Sequence, residues 1–159
     1  MIWLGIAMAF AARALLVLLF LPFSALDKIL NFKAAVGQAS EAIPSRGLAK
    51  TAIFAGLGVE VLMSLAVLTG IADRMAATIL AGYCVVTALL WKQFWKAPDF
   101  RLRGTSGGRD VFWDFLKNLA LAGGFLALAF GASAAGWQSF LAHPLASSHP
   151  YAQSPTGGR

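Results

Sequence analysis

The chain has 159 residues, of which 58% are hydrophobic and only 13% charged, with a mean hydropathy of +0.70. That balance excludes an ordinary soluble domain and leaves room for one domain of four membrane spans with short connections. The net charge of +6 would point to nucleic acid in a soluble chain. Here the Lys and Arg residues cluster in loops beside apolar runs, where they set topology, so no nucleic-acid partner is expected.

The first run, about residues 7–30, lacks a basic n-region and continues past the usual length of a signal h-region, so it is expected to be retained as the first span. Pro22 frees the carbonyl of Leu18 and predicts a kink. At helical spacing Arg13, Val17, Phe20, Ser24 and Asp27 share a stripe that is charged at both ends. Arg13 either snorkels to the near interface or faces protein, and Asp27 and Lys28 stand at the far interface. The stretch 31–50 reads as a surface connector with a short interfacial helix, because Phe32, Val36 and Ala39 recur at helical spacing before Pro44 stops the pattern.

The second span, about 50–70, carries Gly56, Glu60 and Ser64 on one i, i+4, i+8 line, a small-polar-small stripe suited to close helix approach. A tight turn at Gly70 to Asp73 leads to Arg74, at the interface and placed to cap the carbonyls of the second helix. The third span, about 74–91, holds Thr78, Tyr83 and Cys84 and leaves the membrane through the aromatic and basic cluster from Trp91 to Lys96, which includes Lys92. The glycines of the following loop lack the GK[ST] ending that a phosphate-binding loop requires. The fourth span, about 112–131, carries Asp114, Lys117 and Asn118 near its start. Asp114 and Lys117 are spaced to pair within the helix, and Lys117, Leu121, Gly124, Leu128 and Gly131 share a face. The four spans form one domain over residues 1–131. Residues 132–159 turn small and polar and are expected to form a disordered tail.

Ten of the thirteen Lys and Arg residues lie in or beside the first and third connections, leaving Arg13, Arg74 and Arg159. Both termini are therefore expected on the non-cytoplasmic side of a bacterial inner membrane. Cys84 is the single cysteine and both histidines, His143 and His149, fall in the tail. No disulfide, metal site or His-ligated haem is expected, and no intrinsic cofactor.

Glu60 is the residue that demands explanation. A carboxylate at a span centre is costly, by roughly 2.5–3.5 kcal/mol on insertion scales, and is normally paired inside the bundle. By depth its candidate partners are Arg13 and Lys117. Arginine is preferred, because it stays charged when buried and grips a carboxylate with two hydrogen bonds. Lys117 is then left for Asp114, Asp27 or a ligand. A buried pair that only fixes helix register is one reading. The other is a polar cluster of Arg13, Glu60, Lys117 and Asn118 in apolar surroundings, which suits a lipid-soluble redox molecule such as a quinone headgroup.

Arg13 with FLPFSALDKI (20–29), the Glu60 helix followed by GIADRMAA (70–77), and FLKNLALAGGFLAL (115–128) together resemble the DoxX family of small four-helix membrane proteins, over about residues 8–131. The resemblance implies an all-α membrane protein, a four-transmembrane-helix bundle. It places the family's first-helix arginine and lysine on Arg13 and Lys28, its glutamate on Glu60, its third-helix arginine on Arg74 and its Lys-Asn pair on Lys117-Asn118. Ala25 stands where many relatives have glycine, and Lys92 where they have histidine. The family takes its name from a subunit of a thiosulfate:quinone oxidoreductase. The resemblance thus implies a quinone-facing or accessory subunit of a membrane redox system, with protein partners in a complex or as a homo-oligomer. A purely structural scaffold subunit and a small transporter are the alternatives, and no catalytic residue is assigned.

Overall fold

In the hydrocarbon of a bilayer every backbone N–H and C=O must be satisfied within the protein, which for apolar runs of this length means helices. The computed structural model describes residues 2–131 and 133–152. Four helical stretches are long and apolar enough to cross a membrane, at Trp3–Leu30, Arg46–Thr69, Asp73–Lys96 and Gly107–Phe130. They run alternately up and down, so the bundle has two ends. One carries the connections after the first and third spans, and the other carries the turn between the second and third.

The first span is not one regular helix. α1 (Ile2–Val17) passes into a π turn over Leu19–Ser24 that contains Pro22, followed by α2 (Ala25–Leu30). Proline cannot donate to Leu18, and the ladder recovers with wider bonds, such as Ala25 N–H to Phe20 O. The turn holds one residue more than an α turn. The inward face therefore runs through Val17, Phe20 and Ser24 to Lys28, while Asp27 is exposed.

α3 (Phe32–Ala42) is the connecting helix the sequence predicts, and it buries Val36 and Ala39 against Ala49. α4 (Arg46–Thr69) starts earlier than hydropathy alone suggests, because the Ser45 hydroxyl caps it by accepting from Leu48 N–H. α5 spans Asp73–Trp91. α6 (Gly107–Phe130) likewise begins well before its apolar run. Its first N–H groups are met by Ser106 and by the Asp99 carboxylate, which accepts from Gly107 and Gly108 at 2.8 and 3.1 Å. Nearby, Phe94 packs its ring against Phe100, Phe112 and Phe115 at centroid distances of 5.1, 5.0 and 5.4 Å. The core between the helices is formed by Val17, Phe20, Val67, Leu80, Cys84 and Phe125.

The expected disordered tail is corrected over most of its length. Ser133 caps α7 (Ala134–Ala142), whose Trp137 and Phe140 pack on Phe130 at 4.8 and 5.0 Å. The chain then returns as a strap across the α4–α5 turn, where the Ser147 hydroxyl accepts from Ala72 N–H and Tyr151 donates to Leu68 O. These side chains meet backbone groups that a turn between two helices leaves open, which composition alone does not reveal. Residues 153–159 lie outside the described residues.

Gly70 ends α4 with φ 77°, and a Cβ there would lie 2.6 Å from Pro150 Cδ in the strap. Gly70→Ala should destabilise the protein by about 1–2 kcal/mol through backbone strain alone. Thermal unfolding in detergent measures this, and cleavage within the strap by added protease should increase with it.

Candidate functional site

The buried face of α4 carries Gly56, Glu60, Ser64 and Val67. Glu60, only 1% exposed, lies at the floor of a cavity near the middle of the bundle. Its Oε1 accepts three hydrogen bonds: from Lys28 Nζ at 2.7 Å, from Tyr83 OH at 2.8 Å and from Ser24 Oγ at 3.0 Å. Lys28 also donates to Ser24 at 2.6 Å. The π turn is what brings Ser24 and Lys28 to this point. Gly56 brings in Tyr83: a Cβ at Gly56 would stand 3.1 Å from the phenol oxygen. Phe20 packs edge-on against the Tyr83 ring at 6.2 Å and walls the site from the core.

The cavity has a volume of about 440 Å³ and is enclosed by the first span, α3, α4 and α5, with Asn118 contributed by α6. Its lining includes the buried Phe20 and the half-buried Ile53, with Lys28, Glu60 and Tyr83 at the floor and the exposed Leu19 toward the outside. Its mouth is polar, with Asp27, Asn31, Gln38 and Lys92 around it. α3 is held over one side by Trp91, whose indole donates to Gln38 O at 3.2 Å.

At the other end of the bundle lies a second buried ion pair. Arg13 meets Asp73 at 2.8 Å, with side-chain exposures of 8% and 0%. Arg13 also donates to Val67 O at 3.0 Å and to Ser148 Oγ at 2.9 Å, and Ser148 N–H donates to Asp73 Oδ1 at 2.9 Å. The strap thus completes this pair.

These positions revise several expectations. Arg13 is not the partner of Glu60. Val67, which it contacts, lies seven residues beyond Glu60, about 10 Å along the helix at 1.5 Å per residue. Arg13 instead pairs with Asp73, the first residue of α5, which places it level with the α4–α5 turn. Lys117 is not in the cluster either. Its side chain is 71% exposed and pairs with Asp114 at 3.3 Å, as the i, i+3 spacing predicts. α6 buries Ala122, Phe125 and Ala129, one residue out of phase with the face through Lys117, so Asn118 rather than Lys117 lines the cavity. Gly131 serves as the left-handed C-cap, with φ 63°, and Gly124 sits beside Leu16.

Lys92 bridges to Asp114 at 3.1 Å, and Asp27 accepts from Asn31 at 2.7 Å. Arg74 caps α6 rather than α4, donating to Ala129 O at 2.8 Å and Gly136 O at 2.9 Å with its guanidinium over the Phe140 ring. Sequence reasoning missed Tyr83, Ser24, Asp73 and Ser148 as participants. For Asp73 a signal existed, since it is an acidic residue at the very start of its apolar run.

Removing one side of the Arg13–Asp73 pair leaves a buried charge uncompensated. Arg13→Ala should therefore cost about 3–5 kcal/mol, with Arg13→Met/Asp73→Leu recovering most of it. Thermal unfolding of the single and double variants tests this.

A family model described as DoxX matches residues 4–93. The match takes in Arg13, Ser24, Lys28, Glu60, Asp73, Tyr83 and Lys92, and ends before the Lys117-Asn118 pair. No curated protein and no solved structure matches the chain. With more than half of its length matched, and with four apolar helices in one bundle, the chain belongs to the DoxX family.

Proposed function

We propose that this protein is a quinone-facing subunit of a membrane redox system in a bacterial inner membrane, with the cavity mouth toward the cytoplasm. The observation that carries the reading is the cavity itself, a space of about 440 Å³ with an apolar wall and a charged, hydrogen-bonded floor. A ligand that fits must be apolar over most of its surface and polar at one end. A quinone headgroup on an isoprenoid tail is such a molecule. Its carbonyl oxygens need donors. The Lys28 ammonium has three, of which Ser24 and Glu60 take two, and Asn118 supplies an amide in the wall.

When bound, the quinone supplies the capacity to take up two electrons and two protons. This chain's residues hold the headgroup, and Glu60 exchanges protons beside it. The electrons come from a partner protein, since the spans carry no histidine. The basic residues around the mouth support the cytoplasmic orientation.

A second reading, an accessory subunit whose charges only join helices, is favoured at the other end of the bundle. There Arg13, Asp73 and Ser148 satisfy one another and stand outside the cavity.

The two readings separate in protein purified with its native lipids and extracted for quinone. The wild type should retain quinone in stoichiometric amount. Lys28→Met and Glu60→Gln should each lower retention about tenfold, the equivalent of one charge-assisted hydrogen bond. Lys117→Met should leave it unchanged. Quinone no richer than in the bulk lipid would rule out the quinone-facing role.

A further inference from the structure

Glu60 is only half satisfied. Its Oε1 takes the bonds from Lys28, Tyr83 and Ser24, while Oε2 is buried without a hydrogen-bond partner among the described residues. The carboxyl group stands at the level of Gly56, because the phenol oxygen that donates to it is the atom a Cβ at Gly56 would meet. Gly56, Tyr83, Lys28, Ser24 and Glu60 all line the cavity, so the unmet oxygen belongs to its floor. Leaving a buried acceptor unpaired costs about 1–3 kcal/mol, and more for a charged one.

The other groups of the floor do not repair this. The Tyr83 and Ser24 hydroxyls have one hydrogen each, and both hydrogens go to Oε1. Lys28 has three donors, of which Oε1 and Ser24 Oγ take two among the described residues. The floor therefore offers an incoming group one acceptor, on Glu60, and one donor, on Lys28. A carbonyl satisfies only the donor and sets its lone pairs against the carboxylate. A hydroxyl satisfies both, since it accepts through its oxygen and donates through its hydrogen.

We infer that the cavity selects a ligand hydroxyl and, within the quinone-facing reading on which this rests, that it holds the hydroquinone in preference to the quinone. A phenolic O–H donates to Oε2, and its oxygen accepts from Lys28 Nζ. Little has to move, because the last torsion of a glutamate side chain is soft and turns either oxygen toward a ligand. The Asn118 amide both donates and accepts, so it serves the two redox forms alike. Hydrogen bonds to an ionised acceptor are the stronger kind, and the preference is about tenfold. No bond in the ligand is made or broken by this step. Tighter binding of the reduced form raises the potential of the bound couple, by about 30 mV for a tenfold preference and two electrons. Quinone at this site is then more easily reduced than quinone in the surrounding lipid.

The test compares three probes: decylbenzohydroquinone kept reduced under anaerobic conditions, decylbenzoquinone, and the dimethyl ether of the hydroquinone, which accepts but cannot donate. Each is equilibrated with the protein in lipid discs free of native quinone, and its retention is read against empty discs. The hydroquinone should be held about tenfold more tightly than the quinone or the ether. Glu60→Gln should weaken binding of all three and also abolish the preference, because an amide nitrogen in the place of Oε2 donates and does not accept. Lys117→Met, outside the cavity, should keep the full preference. Quinone or ether held as tightly as the hydroquinone would overturn the inference and leave the quinone-facing reading standing. A preference that survives in Glu60→Gln would overturn the role of Oε2. Retention of none of the three above empty discs would overturn both the inference and that reading. If Glu60→Gln does not fold, the wild-type comparison of hydroquinone with ether decides.

Discussion

A carboxylate removed from water must be met by positive charge and donors, and the placement of the first span follows from meeting Glu60. The Lys28–Glu60 contact of 2.7 Å joins α2 to α4. It requires that the helix be rewound ahead of it, which Pro22 and the π turn do. It also requires that Tyr83 approach α4 closely, which Gly56 allows. Each of these features is mildly unfavourable alone: a proline inside a helix, a π turn, a glycine in a span. They make sense as parts of a single constraint. The cavity is its by-product, because a first span rewound by the π turn at Pro22 and a connecting helix packed on α4 leave space between them.

Apolar helices in lipid gain little by exchanging lipid contacts for each other, so packing and interhelical polar bonds decide register. The first span carries two such bond sets, at two different levels. Lys28–Glu60 fixes the first span against α4 at the cavity end. Arg13–Asp73 fixes it against the start of α5 at the other. Two pins on one helix prevent both sliding and rotation. The two sets differ in completeness. Arg13, Asp73 and Ser148 satisfy each other, as a purely architectural cluster should, whereas the Glu60 carboxylate is left with an unmet oxygen beside a cavity.

Hydropathy and charge alone made the four spans and the helix between the first two legible. Glu60 was legible as the central residue because a lone acid in an apolar run has few bland explanations. Its partner was not. Periodicity carried across Pro22 at a constant 3.6 residues per turn gives Asp27 and Lys28 nearly equal claims, and only the π turn decides between them. Depth estimates failed for Arg13 because the polar ends of a span are not where its helix ends. Lys117 and Asn118 are adjacent, so a phase error of one residue exchanged them. The strap was illegible for another reason. Ser147, Ser148 and Tyr151 act on groups about 75 to 135 residues away, and no local pattern encodes such a contact.

That distance orders the protein's assembly in time. Arg13 leaves the ribosome with no counter-charge. It must wait for the Val67 carbonyl, 54 residues later, then for Asp73, and for Ser148, 135 residues later. During synthesis the first span carries an unmatched cation, and the bundle closes around it only when the last segment has emerged. A chain truncated after its fourth span would insert all its helices and still leave Asp73 without the two hydrogen bonds that Ser148 donates.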